Sequence, residues 1–563
     1  MKNQISVGTI LIFLLVSMLA LTFKIQPVRA SGTIYIRADG SVDPISAPIS
    51  TGDNITYTLT ANINDSIVVE RSSIVLDGYG YTLQGPGSGN GNGISLTSIG
   101  NVTIKNMGIS GFTNGIWLYY SSNNTLSNNN MTGNGLNGIA LTRSSYNVLS
   151  GNNVTKNQYG LYLAASSYNT LSGNNASGDY ISGIHLTTDA YGSTSNNNTL
   201  SNNNATRDNN YGIYLYNSSN NTLSNNNASL NSNYGIYIYY SCSNNTLSGN
   251  NVYGQMCGVY LYYSSNNNML SGNNVTGNTY GVYLVSSSNN NVLSGNNLTG
   301  NSGTGISLDS SDNNVFLGNN VTGNSGSGIV LSHSNNNTFY HNNFISNSQQ
   351  VSLTSSGANS WDMGYPSGGN YWNNYAVADI FSGPYQNVTG SDGIGDLPYV
   401  IDANNTDRYP LINANFSFCT LNLNAGWNMI SFPVIPVNAS FSNIFSGVGY
   451  YQVLTWSGTS YATPTAAEAG RGYWALVLSP ATINVTGVPV ESYELNLSAG
   501  WSMIGSVYNA TVNGDNVFPP PAFYQLLTWN GFSYVDAKPV GIESGRGYWA
   551  LVLVPTHINV QKP

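Results

Sequence analysis

An apolar residue followed three and four places later by Asn-Asn returns at Leu247, Leu270, Leu293, Phe316 and Phe339, each step 23 residues long. Steps of 22 to 24 residues continue it backwards through Leu223, Leu200, Leu171, Leu149 and Leu126, with one long step of 29 residues between Leu171 and Leu200. A fixed period of this size means a supersecondary unit stacked on copies of itself, since one such unit cannot bury its own apolar face. Each repeat carries a short alternating run, such as Gly-Ile-Tyr-Leu-Tyr from Gly212 to Tyr216, then a Ser/Asn turn, a short run that is most often Thr-Leu-Ser or Val-Leu-Ser, and the Asn pair. Period-two alternation punctuated by Gly and Asn reads as short strands and tight turns, too short for helices. Strands that recur in one direction, a coil apart, pair in parallel. The expected fold is therefore all-β, a right-handed parallel β-helix rising about 4.8 Å per coil. About twelve coils make a rod on the order of 60 Å long.

The spacing also assigns columns. Ile116, Ile139, Leu161, Ile184, Ile213, Ile236, Val259, Val282, Ile306 and Ile329 point inward, with a second apolar column two places on from Leu118 to Leu331. At one turn, Asn129, Asn152, Asn174, Asn203, Asn226, Asn250, Asn273, Asn296, Asn319 and Asn342 make an unbroken ladder. Asn tolerates left-handed backbone angles and passes amide hydrogen bonds from coil to coil, so these residues are architecture.

Composition narrows the function classes. Only 7% of residues are charged and the net charge is −9 without a basic patch, which excludes a nucleic-acid partner. Residues 1–30 hold Lys2, an apolar run from Gly8 to Phe23 and a Val-Arg-Ala end. That pattern is a secretory signal cleaved near Ala30, placing the protein outside the cell or on its surface with no membrane span in the mature chain. An uncleaved anchor is the other reading, against which the run is shorter than the roughly 20 residues a spanning helix needs. Cys242 and Cys257 fall in different columns and are not expected to bridge. Asn-x-Ser/Thr sequons, Asn54, Asn101, Asn274, Asn387 and Asn484 among them, suit a glycosylated surface protein, although a repeat written Asn-Asn-Val-Thr produces them regardless.

Other segments flank the repeats. Residues 31–90 are strand-like but off the beat, as an N-terminal cap with first coils; 91–360 are the β-helix; 361–415 form a Trp/Tyr-rich C-terminal cap. Residues 421–487 and 495–561 are two copies of one small β-module, as Ala-Gly-Trp-Asn-Met-Ile from Ala425 against Ala-Gly-Trp-Ser-Met-Ile from Ala499 shows. Gly-Arg-Gly-Tyr-Trp-Ala-Leu-Val-Leu likewise recurs from Gly470 and from Gly545.

The 23-residue coil, Ile34-Tyr35-Ile36-Arg37-Ala38-Asp39-Gly40, Gly-Gly-Asn-Tyr-Trp (Gly368 to Trp372), Asp-Gly-Ile-Gly-Asp (Asp392 to Asp396) and Asp-Arg-Tyr-Pro-Leu (Asp407 to Leu411) together resemble the NosD-like β-helix family over residues 31–412. The resemblance implies a surface protein of the kind abundant in archaea, and the C-terminal pair looks like the Gly-Trp-Asn-Leu-Ile modules that end many such proteins. The coil is shared with carbohydrate-binding proteins and sugar hydrolases, so it speaks to fold more than to function. Asn374 departs from the Asp that relatives often carry there.

Several groups could carry function. Lys156, Asp179, Arg207 and Asp208 fall in one turn of successive coils, with His185 on the adjoining strand and Asp189 in the insertion that lengthens one step. A sugar hydrolase or lyase of this fold would place its acid and base there; the plain alternative is a set of solvated turns. Copper handling, implied by the resemblance, would fall to His333 and His341, which no methionine cluster accompanies. Asp379, Asp392 and Asp396 bracket a Gly-rich turn whose hard oxygens suit Ca²⁺, or simply cap turns. The last group is an outward aromatic wall: Trp117, Tyr162, His185, Tyr214, Tyr237, Tyr260 and Tyr283, with Tyr119, Tyr216, Tyr239 and Tyr262 two places on and Tyr159, Tyr211, Tyr234 and Tyr280 just before the glycine. Soluble proteins rarely leave such a face bare. It either binds flat sugar rings, of a polysaccharide or cell-surface component, or a partner surface, or it is a stacking ladder that stabilises the sheet with its hydroxyls in water. The leading expectation is a non-catalytic exported protein that binds carbohydrate or serves as structure, needing no cofactor, with polysaccharide hydrolysis or lysis as the alternative.

Overall fold

The computed structural model describes residues 32–562 apart from Ser88, Pro366, Asp392 and positions 415–416, 437–438, 446–447, 449–450, 491, 509 and 519–523. The signal expected at 1–30 and Asp392 thus lie outside the described residues. The repeats wind as a parallel β-helix with three faces. One face is a 15-stranded sheet from Ile34–Ile36 to Gln349–Thr354, and the second is a 14-stranded sheet ending at Thr338–Tyr340. The third is a five-stranded sheet from Thr82–Gln84 to Asn175–Ser177 and a six-stranded sheet from Asn251–Tyr253 to Tyr371–Trp372, linked by single bridges through Asn204 and Asn227. Registers follow the spacing, for example Ile213 beside Ile236 and Leu223 beside Leu247.

Each coil contributes two apolar residues from the first face and one from each of the others to a dry interior. Ile236, Ile238, Leu247 and Val252 are fully buried in one such coil. Residues 31–90 add coils at the N-terminal end: Ile34–Ile36 and Ile67–Val69 pair in parallel with the first sheet, and the short antiparallel strands Val42–Asp43 and Ile49–Ser50 lie at the edge. At the other end Trp361 stacks on Phe339 and Trp372 on Phe344, both with centroids 4.4 Å apart, closing the core with indole rings.

The turn after the second face holds residues in left-handed backbone, Asn225 (φ 54°), Gly249 (φ 63°) and Gly272 (φ 61°) in successive coils. This conformation is cheap only for Gly and Asn, which is why the repeat reads Leu-Ser-Gly or Leu-Ser-Asn before its Asn pair. The first Asn of the pair points inward. Asn250 Oδ1 accepts the backbone N–H of Asn226 at 3.0 Å and its amide at 3.0 Å, while its own Nδ2 donates to Asn273 at 2.9 Å and to the Leu223 carbonyl at 2.9 Å. Two further interior ladders run beside it. One is built on Asn221, Asn245 and Asn268, the other on Asn134, Asn157, Asp179, Asp208 and Asn231. A serine column closes the remaining corner, and in it Cys242 replaces serine, its Sγ accepting the Ser218 N–H at 3.2 Å. Cys242, Cys257 and Cys419 are unbridged.

The C-terminal modules are antiparallel. In the first, Gly426–Ser431 and Tyr451–Trp456 flank Gly472–Val477; in the second, Gly500–Ile504 and Tyr524–Trp529 flank Tyr548–Val552. They meet about a pseudo-two-fold axis. Ile430 bridges Arg546, Arg471 bridges Ile504, and the hydroxyls of Ser431 and Ser506 lie 2.7 Å apart.

Candidate functional site

Alternation along the chain separates the charged turn residues. Asp179 and Asp208 occupy the interior ladder, each 1% exposed, whereas their neighbours Lys156 and Arg207 are exposed on the outside in left-handed backbone. Asp179 Oδ1 takes the Asn157 N–H at 2.7 Å, and Asp208 Oδ1 takes that of Asp179 at 2.8 Å. The second oxygen of each carboxyl is buried without a hydrogen-bond partner. Burial pushes Asp179 up to about 8 and Asp208 well above the ordinary carboxylate range. A protonated carboxyl offers one acceptor and one donor, the pattern of the amide it replaces. The five residues read from sequence as an acid/base set are therefore not gathered around one cleft.

His185 stands in the aromatic wall. Its ring packs edge-on against Tyr214 at 4.6 Å and Tyr159 at 5.0 Å, and burial lowers its pKa to about 3, leaving it neutral. The nearby insertion is held by Asp189, whose carboxylate pairs with Arg143 at 2.6 Å and accepts the N–H groups of Tyr191 and Ser193. Arg143 lies over the Tyr191 ring at 4.6 Å.

The tyrosines form the most extensive surface feature of the rod. Tyr214, Tyr237, Tyr260 and Tyr283 pair in register and stack with centroids 5.1, 5.2 and 5.4 Å apart and planes within 27°. Tyr239 stacks on Tyr262 at 5.4 Å and, along its own strand, on Tyr237 at 5.4 Å. Tyr211 and Tyr234 extend the block by stacking on each other at 5.7 Å and on Tyr214 and Tyr237 at 4.9 Å. Ring faces are thus consumed by neighbouring rings, and the half-buried outer rings present edges and hydroxyls. Tyr237, at the centre, is only 9% exposed. Burial raises the phenol pKa values of Tyr214, Tyr237 and Tyr260. The block spans the coils from Tyr159 and Tyr162 to Tyr283. Ala140 separates it from Trp117, which stacks on Tyr119, and Ser307 ends it.

In the C-terminal cap the carboxylates act as acceptors for backbone. Asp379 Oδ2 takes Gly393 N–H at 2.7 Å and Ser391 Oγ at 2.6 Å; Asp396 Oδ1 takes Phe381 N–H at 3.0 Å. Among the described residues no three His, Cys, Asp or Glu side chains cluster in a way that could hold a metal ion. Asn374 bonds the Tyr399 hydroxyl at 3.0 Å. A cap role not legible in the sequence belongs to Asn405 and Asp407, which terminate two amide ladders. Asn405 Oδ1 accepts Asn359 N–H at 3.0 Å, and Asp407 Oδ2 accepts Asn370 N–H at 2.7 Å and the Trp372 indole at 2.9 Å.

The family model described as periplasmic copper-binding protein (NosD) matches residues 31–194, 190–262 and 238–377, together more than half of the chain. Among solved structures, the periplasmic alginate epimerase AlgG is 13% identical with a TM-score of 0.30, over 55% of this chain and 79% of that one. The A-module of the mannuronan C-5 epimerase AlgE4 from Azotobacter vinelandii is 16% identical with a TM-score of 0.34, over 54% and 86%. The catalytic domain of a GH87 alpha-1,3-glucanase in complex with tetrasaccharides is 16% identical with a TM-score of 0.30, over 52% and 54%. A search of curated proteins finds no match.

Proposed function

This chain belongs to the NosD family, and from that membership and the surfaces described above we propose that it is an exported β-helix rod that binds a long polar polymer, a polysaccharide or another cell-surface component, without performing chemistry on it. The observation that carries this reading is the tyrosine block. It puts the Tyr216, Tyr239 and Tyr262 rings side by side across three coils, and among the described residues none of their hydroxyls makes a hydrogen bond within the chain. A polymer laid along the axis would meet one hydroxyl row per coil, each contact contributing about 1 kcal/mol, so affinity would grow with ligand length. Because ring faces are already stacked, recognition runs through ring edges and hydroxyls. Binding is favoured over hydrolysis or lysis because Asp179 and Asp208 are sequestered in the interior ladder, away from Lys156 and Arg207.

Export is supported by the signal-like pattern of residues 1–30 and by the periplasmic description of the family. No helix among the described residues is long and apolar enough to cross a membrane. The copper in the family description finds a poor donor set here. His333 lies 3.9 Å from Asp309, His341 Nε2 donates to the Ser367 carbonyl at 2.7 Å, and among the described residues neither belongs to a group of three His, Cys, Asp or Glu side chains that could hold a metal ion. No step is assigned to copper. The binding reading is tested by changing Tyr216, Tyr239 and Tyr262 together to Phe, which keeps the stack and removes the hydroxyls. Retention on an insoluble polysaccharide or cell-wall preparation should drop at least tenfold with an unchanged melt; unchanged retention overturns the reading.

A further inference from the structure

The pseudo-two-fold interface of the C-terminal modules gathers six of the chain's nine tryptophans: Trp427, Trp456, Trp474, Trp501, Trp529 and Trp549. Their packing leaves a cleft of about 330 Å³ lined by Trp427, Leu454, Tyr461, Trp474, Trp529 and Tyr534. Trp474 is its buried element, 7% exposed. Three rings stand nearly perpendicular to the Trp474 plane: Trp427 at 83° and 6.1 Å, Trp529 at 74° and 5.6 Å, and Tyr534 at 76° and 6.1 Å. Tyr534 is also perpendicular to Trp529, at 75° and 5.3 Å. Trp427, Tyr461 and Tyr534 remain exposed at the rim. The result is an aromatic box with no charged side chain in its lining.

We propose that this box binds a quaternary ammonium group. The volume is at the lower end of small-ligand sites. The lining offers few polar partners, the hydroxyls of Tyr461 and Tyr534 and the Trp529 indole N–H, which is buried without one; a sugar or a peptide amide placed inside would bring more hydroxyls or N–H groups than these can serve, and each one buried without a partner is costly. A primary ammonium has the same difficulty with its three donors. A trimethylammonium group has no N–H to satisfy, presents only methyl groups, and is attracted to the negative faces of surrounding rings. The chain's net charge of −9 favours a cation over an anion. The site is separate from the tyrosine block of the rod, so it stands or falls independently of polymer binding.

Either a free solute such as choline or glycine betaine, or a phosphocholine lipid head group, would supply this chemistry. The test titrates the full chain with choline chloride and follows tryptophan fluorescence, with sodium chloride at equal ionic strength as the blank and 3,3-dimethyl-1-butanol as the uncharged carbon analogue. Choline should give a saturable change, the alcohol should bind at least tenfold more weakly, and Trp427→Leu and Tyr534→Leu, which keep apolar bulk but remove a ring, should each weaken choline at least fivefold with the melt unchanged. Competition by phosphatidylcholine vesicles assigns the lipid head group as a source, and competition by betaine alone assigns the solute. Equal binding of the alcohol, no saturable choline response, or unaltered affinity in both variants overturns the proposal.

Discussion

The carboxyl of Asp179 occupies the place in an interior amide ladder that Asn157 holds one coil earlier, and it receives the Asn157 N–H at 2.7 Å. Asp208 repeats the substitution one coil later. Two adjacent coils therefore carry an acid where the repeat otherwise carries an amide. Ala176, Ala205 and Ala228 line the third face of the core in the same stretch, where other coils have larger apolar residues such as Ile109, Met131, Val154, Val252 and Phe344.

Replacing Asp179 and Asp208 with Asn should stabilise the rod. The carboxyls are held above their unfolded pKa, so the folded state binds more protons than the unfolded chain between those values. For Asp179, stability consequently falls as pH rises from about 4 to about 8. Thermal melts at pH 5 and pH 9 should differ for the parent, and the double Asn variant should remove that part of the difference and gain about 1–3 kcal/mol at the higher pH. A variant no more stable than the parent at pH 9 would mean the carboxyls are solvated.

The C-terminal cap should depend on Asp407. Its carboxyl serves Asn370, Trp372 and Tyr409, and a Cβ added at Gly369 would collide with it. Asp407→Ala leaves buried donors unpaired, with an expected loss of about 3 kcal/mol, and Gly369→Ala should be comparably damaging. Hydrogen exchange of the coils around Phe339 and Phe344 should then accelerate first, because the lid formed by Trp361 and Trp372 is anchored there. Exchange unchanged at those coils would show that the cap does not hold the end of the rod.

The rod was legible because a strict period fixes which residues share a column. Ile236 and Val259 are adjacent and buried, as their 23-residue separation requires. The spacing did not reveal which turn residues point inward. Lys156 and Asn157, like Arg207 and Asp208, are chain neighbours that alternate between water and core, so a cluster read along the chain divides across the wall. The ladder from Asn134 to Asn231 was hidden because Asp179 and Asp208 interrupt its amides. The tyrosines were visible by spacing, and a stacking ladder was one of two readings of them; that their faces do stack on one another is settled only by side-chain directions the sequence does not carry. The roles of Asn405 and Asp407, and the box between the two modules, come from contacts distant in the chain.

Because each coil is a complete unit, deleting residues 270–292 restores every column and should leave a cooperative, shorter rod. Deleting 270–281 throws core positions outward and should abolish the cooperative melt. Circular dichroism melts of the two deletions separate these outcomes, and equal losses would contradict a solenoid.

The most direct test of the binding account is affinity as a function of ligand length, measured with size-fractionated fragments of whichever polysaccharide retains the protein. The tyrosine block adds a row of contacts at every coil from Tyr162 to Tyr283 except that of His185, so affinity should climb with fragment length and level off once the fragment spans those coils. Affinity already maximal for a di- or trisaccharide, or a length series unaltered by the Tyr216, Tyr239 and Tyr262 to Phe changes, would contradict it.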